Sequence, residues 1–243
     1  MRKENCDFTI QKREFWMSWR NFEAVLEVLA KDRKIYDIFK DCPYSILRTV
    51  KLKKYPNGSF CLEQDEIHDK FYIVVDGEID IFIESDFGKK YYLNTYDKGR
   101  FLGELEMFER HPYVCMAKGR GTVTTLEMDG DKYLEWLDKD SNFSKYVLKV
   151  LCGITYTSTQ KMANDTLYTL KQRICQYFID NTASKGKNAV PLNVEVLGER
   201  MGVTSRSVNR VLKELKDKGV LEISNSQVVI KDREQLLKEK NEK

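Results

Sequence analysis

The period of the sequence changes twice, and this restricts the fold more than any other feature. From about Leu47 to Met128 the chain reads as short β-rich runs: LRTVKLKKY, FCLEQ, KFYIVVDGEIDIFIES, KKYYLNTY, FLGELEMF and TVTTLEM. Between them lie Asn57-Gly58, Asp76-Gly77, Asp86 to Gly88, Lys98-Gly99 and Gly119 to Gly121, which supply the positive φ that tight hairpin turns demand. Many short strands with glycine at the corners predict a closed sandwich or barrel-like roll. On both sides of this stretch the spacing is helical.

Before the roll, residues 15–41 place Phe22, Val25, Leu26 and Leu29 at helical spacing without glycine or proline, and Cys42-Pro43 stops them. After Gly130 the helical period runs from Lys132 through about Lys161. Tyr133, Leu134, Leu137, Phe143, Val147, Leu148, Leu151, Ile154 and Met162 recur there at spacings of mostly three and four. A helix of ~20 residues, ~30 Å long, has two outlets for such a stripe: its own β-domain or a second copy of itself. The length favours self-association, which predicts a homodimer. A further helix, Leu167 to Asn181, carries Leu170, Ile174, Tyr177 and Phe178 on one face, and an exposed, mobile loop is expected over Thr182 to Asn188.

Residues 193–218 carry the chemistry. Asn193 is an N-cap for a short helix, Val194 to Met201, with Leu197 and Met201 inward and Gly198 too small to obstruct a close neighbour. Gly202 supplies the left-handed residue that ends it, and Val203 fills the corner. Thr204 then caps a second helix, Ser205 to about Lys218, with Val208, Val211, Leu212 and Leu215 facing in. Ser205, Arg206, Ser207, Asn209, Arg210 and Lys213 are left facing out, joined at the cap by Thr204. Arginine bonds guanine bidentately, asparagine suits adenine, and serine and lysine serve phosphate, so this helix-turn-helix predicts a double-stranded DNA partner. Gly219 ends the helix, and Leu221, Ile223, Val228 and Ile230 around Asn225-Ser226 predict a small hairpin, the wing of a winged variant. The tail from Lys231 to Lys243 reads as a frayed helix.

Composition narrows the alternatives. The 243 residues are 42% hydrophobic and 33% charged, ordinary for a globular protein. No apolar run is long enough to span a bilayer, and charge scattered through MRKENCDFTIQKREFW argues against a signal peptide, so a cytoplasmic location and no membrane partner are expected. From Tyr168 to Lys243 there are 15 Lys+Arg against 10 Asp+Glu, a net of +5, while the rest carries 26 against 28. That basic bias suits a polyanion. The six cysteines have no short-spaced cluster and read as partly buried thiols, and the two histidines, His68 and His111, are too few for a metal site. No G-x-S-x-G, P-loop or H-E-x-x-H motif is present, so no enzyme, catalytic residue, cofactor or metal is expected.

Two further motifs bring in a family. FYIVVDGEIDIF (Phe71 to Phe82) looks like a strand-glycine-strand hairpin, and FLGELEMFERHPY (Phe101 to Tyr113) looks like a phosphate-binding cassette. With GERMGVTSRSVNRVLKEL, these resemble the cyclic-AMP receptor and Fnr (Crp/Fnr) family of bacterial transcription regulators over about residues 45 to 231. The resemblance implies an α+β chain with four parts. They are an N-terminal helical extension (1–44), a cyclic-nucleotide-binding-like β-roll or jelly roll (45–130), a dimerisation helix (131–166) and a winged helix-turn-helix domain (167–243). The function implied is sequence-specific regulation from a palindromic operator, with RNA polymerase and a small-molecule effector as further partners.

The effector pocket is expected at Gly103, Glu104, Leu105, Arg110, Tyr113 and Val114. Gly103 lets a ligand come close, and Glu104 can accept from a ribose hydroxyl or serve a structural bond. Nucleotide-binding members follow with an arginine and a serine or threonine, where this chain has Tyr113 and Val114. Losing that arginine removes a charge-assisted contact of roughly 1.5 to 3 kcal/mol, so an effector other than cyclic AMP, or none, is expected; the alternative is a cyclic-nucleotide response through Arg110 and Glu104. Fnr's N-terminal cysteine cluster is absent, Cys6 standing alone. The base-reading arginine, glutamate and arginine of the cyclic-AMP receptor align with Ser205, Arg206 and Arg210, which implies a different operator.

Overall fold

The computed structural model describes residues 20–183 and 189–242. They fall into two compact units: the described residues up to Ile81 with Asn94–Gly153, and Phe82–Leu93 with the chain from Ile154 onward.

The first unit opens with helix α1 over residues 20–31 and α2 over Arg33–Phe39. The single helix expected across 15–41 is therefore broken, and Asp32 breaks it. Asp32 sits in extended backbone, and its carboxylate accepts from the amides of Lys34 (3.0 Å) and Ile35 (3.2 Å), restarting the helix with a fresh cap. Trp16 and Trp19 lie outside the described residues. After a short α3 (Tyr44–Leu47) come β1 (Lys51–Tyr55), β2 (Cys61–Leu62), β3 (Lys70–Glu84), β4 (Lys90–Tyr96), β5 (Phe101–Leu102), α4 (Glu104–Glu109) and β6 (Met116–Asp129). The sheet runs β1-β6-β3-β4, with β2 on β6 and β5 on β3.

Two expected turns are absent. Asp76-Gly77 lies inside the continuous β3, and Gly119 to Gly121 inside β6. Gly77 is still required, since its φ is +88° and a Cβ there would lie 2.4 Å from the Thr122 carbonyl oxygen. It therefore marks a close approach of two strands rather than a corner. The turn between β3 and β4 is Ser85 to Lys89, closed by the Ser85 amide on the Lys89 carbonyl (3.0 Å).

The long helix expected after Gly130 is two helices, α5 (Gly130–Lys139) and α6 (Ser141–Leu167). Asp140 separates them. Its buried carboxylate accepts from Trp136 Nε1 (2.9 Å) and caps α6 through the amides of Asn142 (2.9 Å) and Phe143 (3.1 Å). The break folds the apolar stripe back on the roll, where Tyr133 stacks on Phe71 (4.1 Å between centroids) and Trp136 on Phe143 (3.5 Å). Val147 is buried with them. Farther along α6, Leu148, Tyr156, Met162 and Leu167 are exposed.

The second unit builds its own core from Ile174, Cys175 and Phe178 on α7 (Leu170–Ala183) and from the elements that follow. These are β7 (Ala189–Pro191), α8 (Val194–Met201), α9 (Ser205–Asp217), β8 (Leu221–Ser224), β9 (Gln227–Ile230) and α10 (Arg233–Asn241). β7, β9 and β8 form a three-stranded sheet. The tail expected to fray is the ordered α10. It buries Leu236 completely, and the nearly buried Glu239 pairs with Lys171 and Lys218, each at 2.8 Å. Among the described residues no helix is long and apolar enough to cross a membrane.

Candidate functional site

The reading helix is fixed from beneath and left bare above. Asn193 caps α8 by accepting from the amides of Glu195 (3.0 Å) and Val196 (3.1 Å), and Gly202 ends it with φ +65°. A Cβ on Gly198 would meet the Val203 carbonyl oxygen at 2.9 Å, so the glycine accommodates the backbone of the turn itself. Thr204 then caps α9 through the Ser207 amide (3.3 Å). Val208, Val211, Leu212 and Leu215 are buried, which orients the opposite face outward. Arg173 on α7 braces the turn, its Nη1 donating to the Met201 carbonyl (3.0 Å) and to Asp165 (2.5 Å).

On the outer face Arg206, Asn209, Arg210 and Lys213 are all exposed. None bonds or pairs with another described residue, and their spacing of three and four sets them in one row. Ser205 and Ser207 are half-buried at the start of that row, and Thr204 is exposed. Four unpaired donors carrying three positive charges match the edge and backbone of a duplex.

The cassette is built differently. Gly103 (φ +88°) starts α4 in left-handed backbone, and Arg110 (φ 55°) ends it likewise. Glu104 is 6% exposed and Tyr113 5%, so both side chains are inside the roll. Burial drives the Glu104 carboxyl up to about 8, against its own amide, and Glu106 adds to the rise. Glu106 is raised by burial too, although it accepts from the Val114 amide. Burial likewise raises the phenols of Tyr96, Tyr113 and Tyr133, and each also feels Glu104. The Tyr133 hydroxyl is buried with no hydrogen-bond partner in the described structure.

A cavity of about 260 Å³ opens beside α4, lined by His68, Asp69, Glu106, Met107, Arg110 and His111 among others. Its lining includes neither Glu104 nor Tyr113. Arg110 thus shares this cavity with Glu106 and not with Glu104, the glutamate of the alternative reading.

Two family models match this chain. The cyclic nucleotide-binding domain matches residues 52–140, and the Crp-like helix-turn-helix domain matches residues 172–239, together more than half of the sequence. The chain belongs to the Crp/Fnr family. A CRP-like cAMP-activated global transcriptional regulator of Mycobacterium tuberculosis is 21% identical over 217 residues, covering 86% of this chain and 97% of that protein. The cAMP-activated global transcriptional regulator CRP of Escherichia coli O157:H7 is 20% identical over 186 residues, covering 74% and 89%. Among solved structures, a Crp/Fnr-family regulator from Eubacterium rectale superposes with a TM-score of 0.67 at 13% identity, covering 84% of this chain and 97% of that one. The c-di-GMP-responsive global regulator CLP of Xanthomonas campestris gives 0.66 at 19% identity, covering 81% and 97%. This is a Crp/Fnr-type helix-turn-helix transcription regulator.

Seen as a Crp/Fnr chain, the cassette residues separate. Gly103, Glu104 and Tyr113 share the roll interior, whereas Leu105, Val114 and Arg110 are exposed. The cysteines separate as well: Cys175 is buried, Cys42 and Cys115 half-buried, and Cys61 and Cys152 exposed. Sequence reasoning missed β7, which widens the wing hairpin, and the Arg173 brace. It also missed the anchoring of α10. A signal for α10 was present, because Asp232 stands three residues before Gln235 and accepts its amide at 2.8 Å, a capping pattern ahead of an apolar pair.

Proposed function

We propose that this regulator acts as a homodimer on a palindromic operator, reading bases with Arg206, Asn209 and Arg210 and phosphates with Thr204, Ser205, Ser207 and Lys213. The observation that carries the reading is the unpaired row on α9. Exposed cations with no intramolecular partner lose no bond when they meet DNA, and each phosphate they neutralise releases a counterion. Arg206, in place of an acidic reader, exchanges an acceptor suited to cytosine for a donor suited to guanine.

The exposed part of α6 supports the dimer. Leu148, Cys152, Thr155, Thr159, Met162 and Thr166 follow one another at alternating spacings of four and three, all exposed, in a chain that has already used Phe143 and Val147 for its own core. Small and apolar groups at that spacing form a two-helix seam. Two copies paired there present two reading helices to half-sites about one helical turn apart, ~34 Å.

Selection of bound sequences from a random pool, followed by footprinting, tests the reading. A symmetric footprint and an affinity that falls steeply with salt are expected. An unsymmetrical footprint or binding indifferent to sequence refutes it.

A further inference from the structure

We propose that the roll is self-occupied: the phenol of its own Tyr113 fills the place beside Gly103 where an effector would otherwise lie, so the regulator engages DNA without a small molecule. The proposal rests on the DNA-binding reading above and supplies the regulation of the same protein.

The geometry at Gly103 is decisive. A side chain grown from its Cα would begin 2.4 Å from the Lys70 carbonyl oxygen and 3.0 Å from the Tyr113 hydroxyl. The glycine faces other parts of its own chain, and the close approach it permits is already used. The Tyr113 hydroxyl donates to that same Lys70 carbonyl at 3.3 Å, closing the gap between β3 and the cassette.

The phenol is held there by backbone as well as packing. The Tyr113 amide donates to the Glu66 carbonyl (2.9 Å), and its carbonyl accepts from the Asp65 amide (2.8 Å). Asp65 itself adopts left-handed backbone, φ 65°, to make that pairing. The His68 ring, on the loop that carries Asp65 and Glu66, lies 5.2 Å from the Tyr113 ring. The two-bond clamp holds the main chain, and the side chain it carries is 5% exposed, inside the roll.

The groups that act on the Tyr113 phenol are Tyr72, Glu106 and Glu104, none of them a cation. Glu104 and Glu106 are both buried, and the groups whose ionisation feels Glu104 are Tyr96, Tyr113, Tyr133 and Cys115, acids every one. Phe60 packs edge-on to Tyr72 at 5.7 Å in the same roll, and both are buried. Arg110 is exposed and lines the cavity beside α4, which His68 and Glu106 also line.

Full-length protein purified through denaturant and refolded, so that no small molecule travels with it, tests the proposal. Its melting temperature and its affinity for the selected operator are measured alone, with millimolar cyclic AMP, with cyclic GMP and with phenol. The wild type is expected to bind the operator with nothing added and to respond to none of the three. Tyr113→Ala leaves a ring-sized hole of the kind that admits small aromatics. Its melting temperature is expected to fall and to recover with phenol. Tyr113→Leu, which keeps more of the packing, is expected to show a smaller fall and recovery.

A rise in wild-type melting temperature or a roughly tenfold gain in operator affinity with any of the three compounds overturns the proposal. So does a folded Tyr113→Ala or Tyr113→Leu protein indifferent to phenol. A wild type that binds no DNA sequence refutes the DNA-binding reading instead, and the phenol response of the variants still decides whether the roll is self-occupied.

Discussion

Replacing Glu104 by glutamine tests the interior of the roll through its stability. In the folded chain the carboxyl titrates at about 8, chiefly because burial disfavours its charge, and its reference value is 4.5. Between those two values the folded protein holds a proton that the unfolded chain has released. Stability therefore falls as pH rises from about 4.5 to about 8 and levels off above, where both states are ionised. At ~1.4 kcal/mol per pH unit, that gap amounts to about 5 kcal/mol, a large part of the 5 to 15 kcal/mol that holds a typical domain together. Glu106, raised in the same direction, steepens the fall. Glutamine has nearly the same shape and no charge to bury. Glu104→Gln is expected to match the wild type within about 1 kcal/mol at pH 5 and to exceed it by several kcal/mol at pH 8. Urea unfolding followed by tryptophan fluorescence from pH 5 to 9 measures the difference. Carboxylates held below their usual range, such as Glu239 between Lys171 and Lys218, titrate alike in both proteins and cancel. Parallel stability curves for the two proteins from pH 5 to 8 would refute the reasoning.

Two further outcomes follow from the second unit. Arg206→Ala or Arg210→Ala is expected to cost about 1 to 3 kcal/mol of operator binding and to relax preference at one base position per half-site, while Lys213→Ala weakens all sequences alike and reduces the salt slope by about one per subunit; selection and salt titration of the three variants separate these cases. Leu236→Ala removes a fully buried side chain of α10 and is expected to cost about 2 to 5 kcal/mol in thermal or chemical unfolding, whereas a frayed tail would show no change.

The helix-turn-helix was legible because each of its determinants is local. Asn193, Gly202, Thr204 and the 208-211-212-215 face act within a few residues of themselves, and cap, turn and period agree. Gly77 was misread for the opposite reason. A glycine that admits a neighbouring strand and a glycine that turns a corner look the same in one dimension, and Thr122, which decides the case for Gly77, lies 45 residues away in sequence. Asp140 shows a similar limit, for its capping bonds to Asn142 and Phe143 exist only once the helix has broken. The cassette was legible as a motif and illegible as a site, because whether the roll is filled depends on where Tyr113 points. The main chain that carries it is held by Asp65 and Glu66, which bear no motif.

The two sites are unlike in the way their charges are left. On α9 three cations stand in water without partners among the described residues, which costs little there and leaves their attraction for a polyanion. In the roll two carboxyls stand out of water with a phenol between the cassette and β3, which disfavours their charged forms and offers an anion no countercharge from either. Acids buried there leave the space without a countercharge for a phosphate among the groups that act on the phenol. Tyr113 closes it, and its hydroxyl gives the Lys70 carbonyl a partner that an effector would otherwise have to provide.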